Sequence, residues 1–158
     1  MKTNTTTASA KARTATPVAA ALQQLLADSY TLMGNTHHAH WNVEGPDFFQ
    51  LHKAFQEQYE NLFEAIDDIA EQARVIDSFP VGGLASLARQ SGLEELPVTA
   101  PAKDFVAGLV VGHEKALSDA IALRDTAGAA NDLETQDLAI GRVQWHGKVL
   151  WMLKSYLK

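Results

Sequence analysis

The 158-residue chain contains no cysteine. Disulfide staples and thiolate metal sites are therefore excluded, and any bound metal must be held by nitrogen and oxygen donors. A cysteine-free chain also suits a cytoplasmic protein. No apolar run approaches the ~20 residues of a membrane span, so no membrane role is expected. Residues 1–16 hold neither an acid nor an apolar stretch, so a secretory signal is not expected there either. Strand-like alternation of any length is missing, as is any internal repeat. Proline is sparse, and Pro17, Pro46, Pro80, Pro97 and Pro101 all fall at the edges of periodic segments.

What remains is a helical pattern. Thr16 as N-cap and Pro17 at the first helical position open a helix whose apolar residues (Val18, Leu22, Leu25, Leu26, Met33) keep a helical period to about Asn42. Gly45-Pro46 breaks it. A second helix begins after Asp47, and Phe48, Leu51, Phe55, Tyr59, Leu62, Ile66, Ile69, Ala73 and Ile76 recur at spacings of three and four. Residues 78–101 form a long connection, with a short helix over Leu84 to Gln90. A third long helix is expected from Ala102 to Ala127. A fourth starts near Asn131, which has capping-box spacing to Glu134, and runs to Tyr156. The expected fold is all-α, a four-helix bundle over residues 17–158 with a short helix in the long connection between helices 2 and 3; ferritin-like bundles show this outline, and unrelated bundles can share it. Residues 1–16 read as a flexible, mildly basic tail.

Charge is divided unevenly. The formal net charge is −6, yet Lys2, Lys11 and Arg13 give residues 1–16 a charge of +3, which leaves −9 on residues 17–158. An acidic body favours cations over nucleic acid. The basic tail permits some DNA binding, or serves solubility alone.

The chemistry concentrates in residues 37–71. On a wheel of ~100° per residue, with His52 at zero, the apolar stripe of the second helix centres near −50°. His52, Gln56, Asp67 and Glu71 fall at roughly 0°, 40°, 60° and 100°, with Phe63 among them at roughly 20°. A polar stripe interrupted by phenylalanine points to a second buried surface, as at a subunit interface. His52 and Asp67 are ~22 Å apart along one helix and cannot share an ion within one chain. A two-fold axis pairing antiparallel copies of this helix removes the difficulty. His52 of one chain then meets Asp67 and Glu71 of the other, and His40, a few residues before the Gly45-Pro46 turn, joins His52. Two imidazoles and two carboxylates suit ferrous iron, zinc or manganese. Each residue alone has a plainer reading. Asp67 and Glu71 would be a solvated i,i+4 pair, Trp41 a core residue, and His37, His38, His113 and His146 structural histidines.

His40-Trp41-Asn42-Val43, Gly45-Pro46, Phe48, Leu51-His52, Asp67 and Ala70-Glu71, with Asp132, Thr135, Asp137 and Trp151-Met152-Leu153 near the C-terminus, resemble the signature of the Dps (DNA protection during starvation) miniferritins. The resemblance implies a shell of twelve subunits in the cytoplasm, able to associate with the nucleoid. It also implies ferroxidase sites at the two-fold interfaces, with Fe(II) oxidised to Fe(III), hydrogen peroxide as the favoured oxidant and ferric mineral stored inside. By that resemblance His40, His52, Asp67 and Glu71 are the iron ligands and Trp41 is an electron donor beside them. Asp132 and Asp137 resemble the carboxylates of the pore through which iron enters; a helix cap and a first-turn carboxylate are the alternative reading of these two. One position departs from the pattern. Four residues after the second histidine the family usually has Asp or Glu as an additional ligand, and here stands Gln56, a neutral and weaker oxygen donor. The rival to an iron-oxidising, iron-storing protein is a DNA-binding protein whose iron site is weakened or vestigial.

Overall fold

The computed structural model describes residues 16–158. Five helices are formed among them and no strand: α1 (Pro17–Asn42), α2 (Phe48–Val75), α3 (Leu84–Gln90), α4 (Ala102–Ala129) and α5 (Leu133–Tyr156). The four long helices make the bundle, and α3 sits in the crossover between α2 and α4, as the periodicity predicts. No helix among the described residues is long and apolar enough to cross a membrane.

The helix ends follow from local chemistry. Thr16 Oγ1 accepts the Ala19 amide at 3.1 Å, and Pro17 costs α1 no hydrogen bond at its first turn. Gly45 turns the chain toward α2 at φ 108°, a region open to glycine and costly for other residues. Asp47 precedes α2 without capping it, because its carboxylate accepts the Tyr156 hydroxyl at 2.9 Å and ties the α1–α2 turn to the end of α5.

The start of α5 differs from the sequence expectation by one residue. Asn131 is not the cap. It takes φ 56° and closes α4, with the Asp132 amide bonded to Ala127 O at 3.0 Å. Asparagine tolerates this left-handed position at a helix end. Asp132 is the cap instead, accepting from Thr135 N at 3.1 Å and Thr135 Oγ1 at 2.7 Å.

The apolar core falls into two parts. One gathers Leu32, Val43, Leu51, Phe55, Phe105, Leu109, Val149 and Leu153. The other gathers Leu22, Leu25, Ile69, Leu87, Leu123 and Ala139 toward the opposite end of the bundle. Polar groups occupy the middle stretches of the helices. Gln58, His113 and His146 are all buried, and each carries a hydrogen-bond partner.

The crossover is held by the polar side chains of α1. Gln23 brackets the Val81 peptide, Asn35 brackets Glu94 O and Leu96 N, and His38 Nε2 donates to Pro97 O at 3.0 Å. Fully buried Asp28 accepts from Gln24 Nε2 (2.6 Å), Ser91 Oγ (2.8 Å), the Gly92 amide (2.6 Å) and Lys115 Nζ (2.7 Å). Lys115 also holds Asp119 at 2.6 Å. Burial alone would raise the Asp28 pKa, but its donors outweigh it and hold the carboxyl at about 2.

Candidate metal centre

His40 lies in the last turn of α1 and is buried; His52 lies in the second turn of α2 and is half-buried. The Gly45-Pro46 turn folds the helices back so that the two imidazoles stack, with centroids 3.7 Å apart and planes 19° from parallel. Each ring binds the other residue's backbone. His40 Nδ1 is 2.7 Å from His52 O, and His52 Nδ1 is 2.9 Å from His40 O. A carbonyl only accepts, so both Nδ1 atoms carry the proton and both Nε2 atoms keep a free lone pair. This fixes the tautomer needed for metal ligation and the ring orientation as well. Phe48 stacks on His52 at 4.9 Å, and Tyr59 meets His40 edge-on at 5.2 Å.

Asp67 and Glu71 are exposed and lie far along α2 from His52, and the chain does not bring them together with the histidines. Among the described residues no three of His, Asp and Glu converge on a metal position. The buried carboxylate among the described residues is Asp28, engaged by Ser91, Gly92 and Lys115, and the Glu and Glu-x-x-His set that other ferritin-like bundles place between facing helices is not among the buried residues. Phe63, on the same stripe as Asp67, is 68% exposed, and Phe49, which shares that stripe and was not singled out in the sequence, is 81% exposed. Gln56 is exposed one turn beyond His52, and its Nε2 donates to Glu60 Oε1 at 2.7 Å.

Trp41 is not core. It is 63% exposed and packs on His37, with centroids 4.1 Å apart, while His37 in turn lies 4.4 Å from Tyr59. Burial, with the neighbouring His40, lowers the His37 pKa. Asp132 is engaged as the α5 cap, and Asp137 is exposed on the second turn of that helix. Lys2, Lys11 and Arg13 lie outside the described residues.

A second histidine pair escaped sequence reasoning as a pair. His113 on α4 and His146 on α5 are fully buried, with their Nδ1 atoms 2.9 Å apart. His113 Nε2 faces Gln58 Oε1 at 3.2 Å, and His146 Nε2 faces Arg142 Nη2 at 3.5 Å. Arginine only donates and an amide oxygen only accepts, so the protons are determined: Arg142 donates to His146, His146 to His113, and His113 to Gln58. Every ring nitrogen is used, and none is free for a metal. Burial lowers the His113 pKa to about 3 and the His146 pKa to about 2, with the Arg142 charge acting in the same direction. The available signal was register: Leu109, His113, Ala116 and Ala120 share one apolar spacing.

Comparison with known proteins identifies the family. Residues 19–158 match the ferritin family's ferritin-like domain. The DNA protection during starvation protein of Brevibacillus brevis is 30% identical over 141 residues, covering 89% of this chain and 95% of the relative. The chain belongs to the Dps miniferritins. A low temperature-induced protein of Nostoc sp., uncharacterized, is 37% identical over 142 residues, covering 87% of this chain and 78% of its own length. Among solved structures, a Dps from Vibrio cholerae O1 superposes with a TM-score of 0.86 at 30% identity, covering 89% of both chains. That protein is described as a member of a broad superfamily of ferritin-like diiron-carboxylate proteins. In this Dps the centre of the bundle is occupied by the hydrogen-bonded pair His113 and His146, with Gln58 and Arg142 at its two ends.

Proposed function

We propose that the protein is a ferroxidase and iron store that takes Fe(II) and hydrogen peroxide as substrates and thereby protects DNA from oxidative damage. The observation that carries this reading is the reciprocal lock of His40 and His52, which stacks the two rings and leaves the Nε2 of each with its lone pair. Asp67 and Glu71 complete the site from the two-fold-related α2 of a second chain. The exposed Phe49 and Phe63 on the same helix face support such a contact, since bare aromatic surface of this kind marks an interface. The full assembly is a homo-dodecamer, and the site works in the cytoplasm.

At each site ferrous iron is held by two nitrogens and two carboxylates. Two ferrous ions give one electron each to hydrogen peroxide, whose O–O bond breaks and whose oxygens, with two protons, leave as two waters. The ferric product hydrolyses to oxyhydroxide inside the shell and releases protons. The carboxylates favour the ferric state by charge. Trp41, exposed beside His37, is the electron donor next to the site, with peroxide as the acceptor. Asp132 and Asp137 line the pore through which iron enters. Both reagents of hydroxyl-radical chemistry are consumed together.

The test is an anaerobic ferrous titration of the metal-free assembly, followed by a peroxide pulse with absorbance recorded for ferric product. Saturable binding and a fast ferric phase are expected, and both vanish in His52→Ala. Unchanged kinetics in that variant would sink the site assignment. If wild type shows no saturable binding, the DNA-binding alternative gains. It would rest on Lys2, Lys11 and Arg13 acting in many copies, and gel retardation would then depend on residues 2–16 and on salt.

A further inference from the structure

We propose that Glu60 is a positioning residue for iron binding: it takes the amide N–H of Gln56 and so turns and polarises the Gln56 carbonyl oxygen into a working iron donor beside His52. This rests on the ferroxidase reading above. His52, Gln56 and Glu60 follow one another at single-turn intervals and fall at roughly 0°, 40° and 80° on the α2 wheel, a single rising line on the exposed face. The Gln56 nitrogen is 2.7 Å from Glu60 Oε1. An ionised carboxylate only accepts, so the amide is not free to flip, and its Nε2 must be the atom facing Glu60. The carbonyl oxygen is directed away from Glu60, and no protein donor among the described residues takes it.

A neutral amide is a weaker ligand for a hard cation than the carboxylate it replaces. A charge-assisted bond from its N–H to a carboxylate offsets part of that loss, because it draws electron density onto the oxygen and removes rotamer freedom. The relation is that of a carboxylate behind a ligating histidine, transposed to an amide. The negative charge absent at position 56 is supplied one turn further on, through the amide rather than to the metal directly.

The experiment is anaerobic Fe(II) binding by calorimetry on the metal-free, fully assembled protein, for wild type, H52A, Q56A, E60A, E60Q and Q56A/E60A. Residues 56 and 60 share the α2 face read above as the two-fold contact, so sedimentation first establishes that each variant assembles. E60A is expected to weaken the Fe(II) binding that depends on Gln56 roughly 10-fold, the lower end for loss of an orienting partner. E60Q keeps a neutral acceptor and should recover part of that loss. In the Q56A background, E60A should cost nothing further. An equal loss in both backgrounds would mean that Glu60 acts as a general charge or a direct ligand, and the proposal would be overturned. Coincident wild-type and E60A isotherms, with binding still abolished by H52A, would overturn it while leaving the ferroxidase reading intact. Failure of H52A to affect binding would overturn both.

Discussion

His40 and His52 hold each other by the backbone: the Nδ1 of each donates to the carbonyl of the other, at 2.7 and 2.9 Å, across a stacked pair. The end of α1 and the start of α2 are thus joined by the same groups that present the two free Nε2 atoms. Replacing His52 by alanine should therefore do two things at once. Ferrous affinity should fall by at least about 100-fold, and stability should fall by about 1–2 kcal/mol through the lost hydrogen bond and ring contact. Calorimetry and denaturant unfolding read the two effects separately. A variant that lost binding with unchanged stability would show that the lock contributes nothing to the fold.

Division of the site between chains makes a sharper test. H52A subunits keep both carboxylates, and D67N/E71Q subunits keep both histidines. Each homogeneous assembly should be inactive. Unfolded and refolded together in equal amounts, half of the two-fold pairs are mixed, and one of the two sites in each mixed pair is whole. Fast peroxide-dependent oxidation should return to about a quarter of the wild-type amplitude. No recovery would mean that the ligands come from a single chain or from other residues.

Acid should loosen the bundle from its centre. His113 and His146 are buried neutral, at about 3 and about 2, against 6.5 in the unfolded chain. Their folded pKa values are depressed, so below pH ~6.5 the unfolded chain takes up protons that the folded one refuses. Stability falls steadily on that account, by about 3 kcal/mol for one such histidine by pH 4. Asp28, at about 2, adds a loss below its unfolded value of 3.8, while Asp119, raised to about 6, works the other way. A H113L/H146L double variant should show a flatter dependence of unfolding midpoint on pH between 6.5 and 4. An unchanged slope would assign the acid response to other groups.

Much of this was legible in the sequence, and the illegible part has a common cause. Thr16-Pro17, Gly45-Pro46 and the spacing of Leu51, Phe55 and Leu62 act within a few residues, and the helices they predict are present. The α5 cap was misplaced because Asn131 and Asp132 are both good caps by type, and only the left-handed turn closing α4 decides between them. His40 and His52 could be associated from their places around one turn, but their mutual backbone bonds depend on how closely α1 and α2 approach. His113 and His146 are 33 residues apart, and Asp28 and Lys115 are 87 apart. Pairings of that kind carry no local pattern. Each partner alone reads as an ordinary polar residue.

Replacing Asp28 by asparagine should test the clamp on the crossover. The isosteric amide leaves Lys115 without one of its two carboxylates and places an NH2 group against the Ser91 or Gly92 donors. A loss of about 2–4 kcal/mol is expected, reduced because Lys115 is partly exposed. Proteolysis should then cut within residues 76–101 first. Wild-type resistance in that segment would show that Gln23, Asn35 and His38 suffice to hold it.

The same carboxylate bears on which alignment of the bundle is accepted. Leucines of α1 meeting the alanine-lined face of α4 are tolerant partners, and a slide of one turn, about 5.4 Å, would still bury much the same apolar surface. It would leave Asp28 enclosed with no ammonium opposite it. Oily contacts alone would leave several registers close in energy, and one buried charge with a single matching cation separates them.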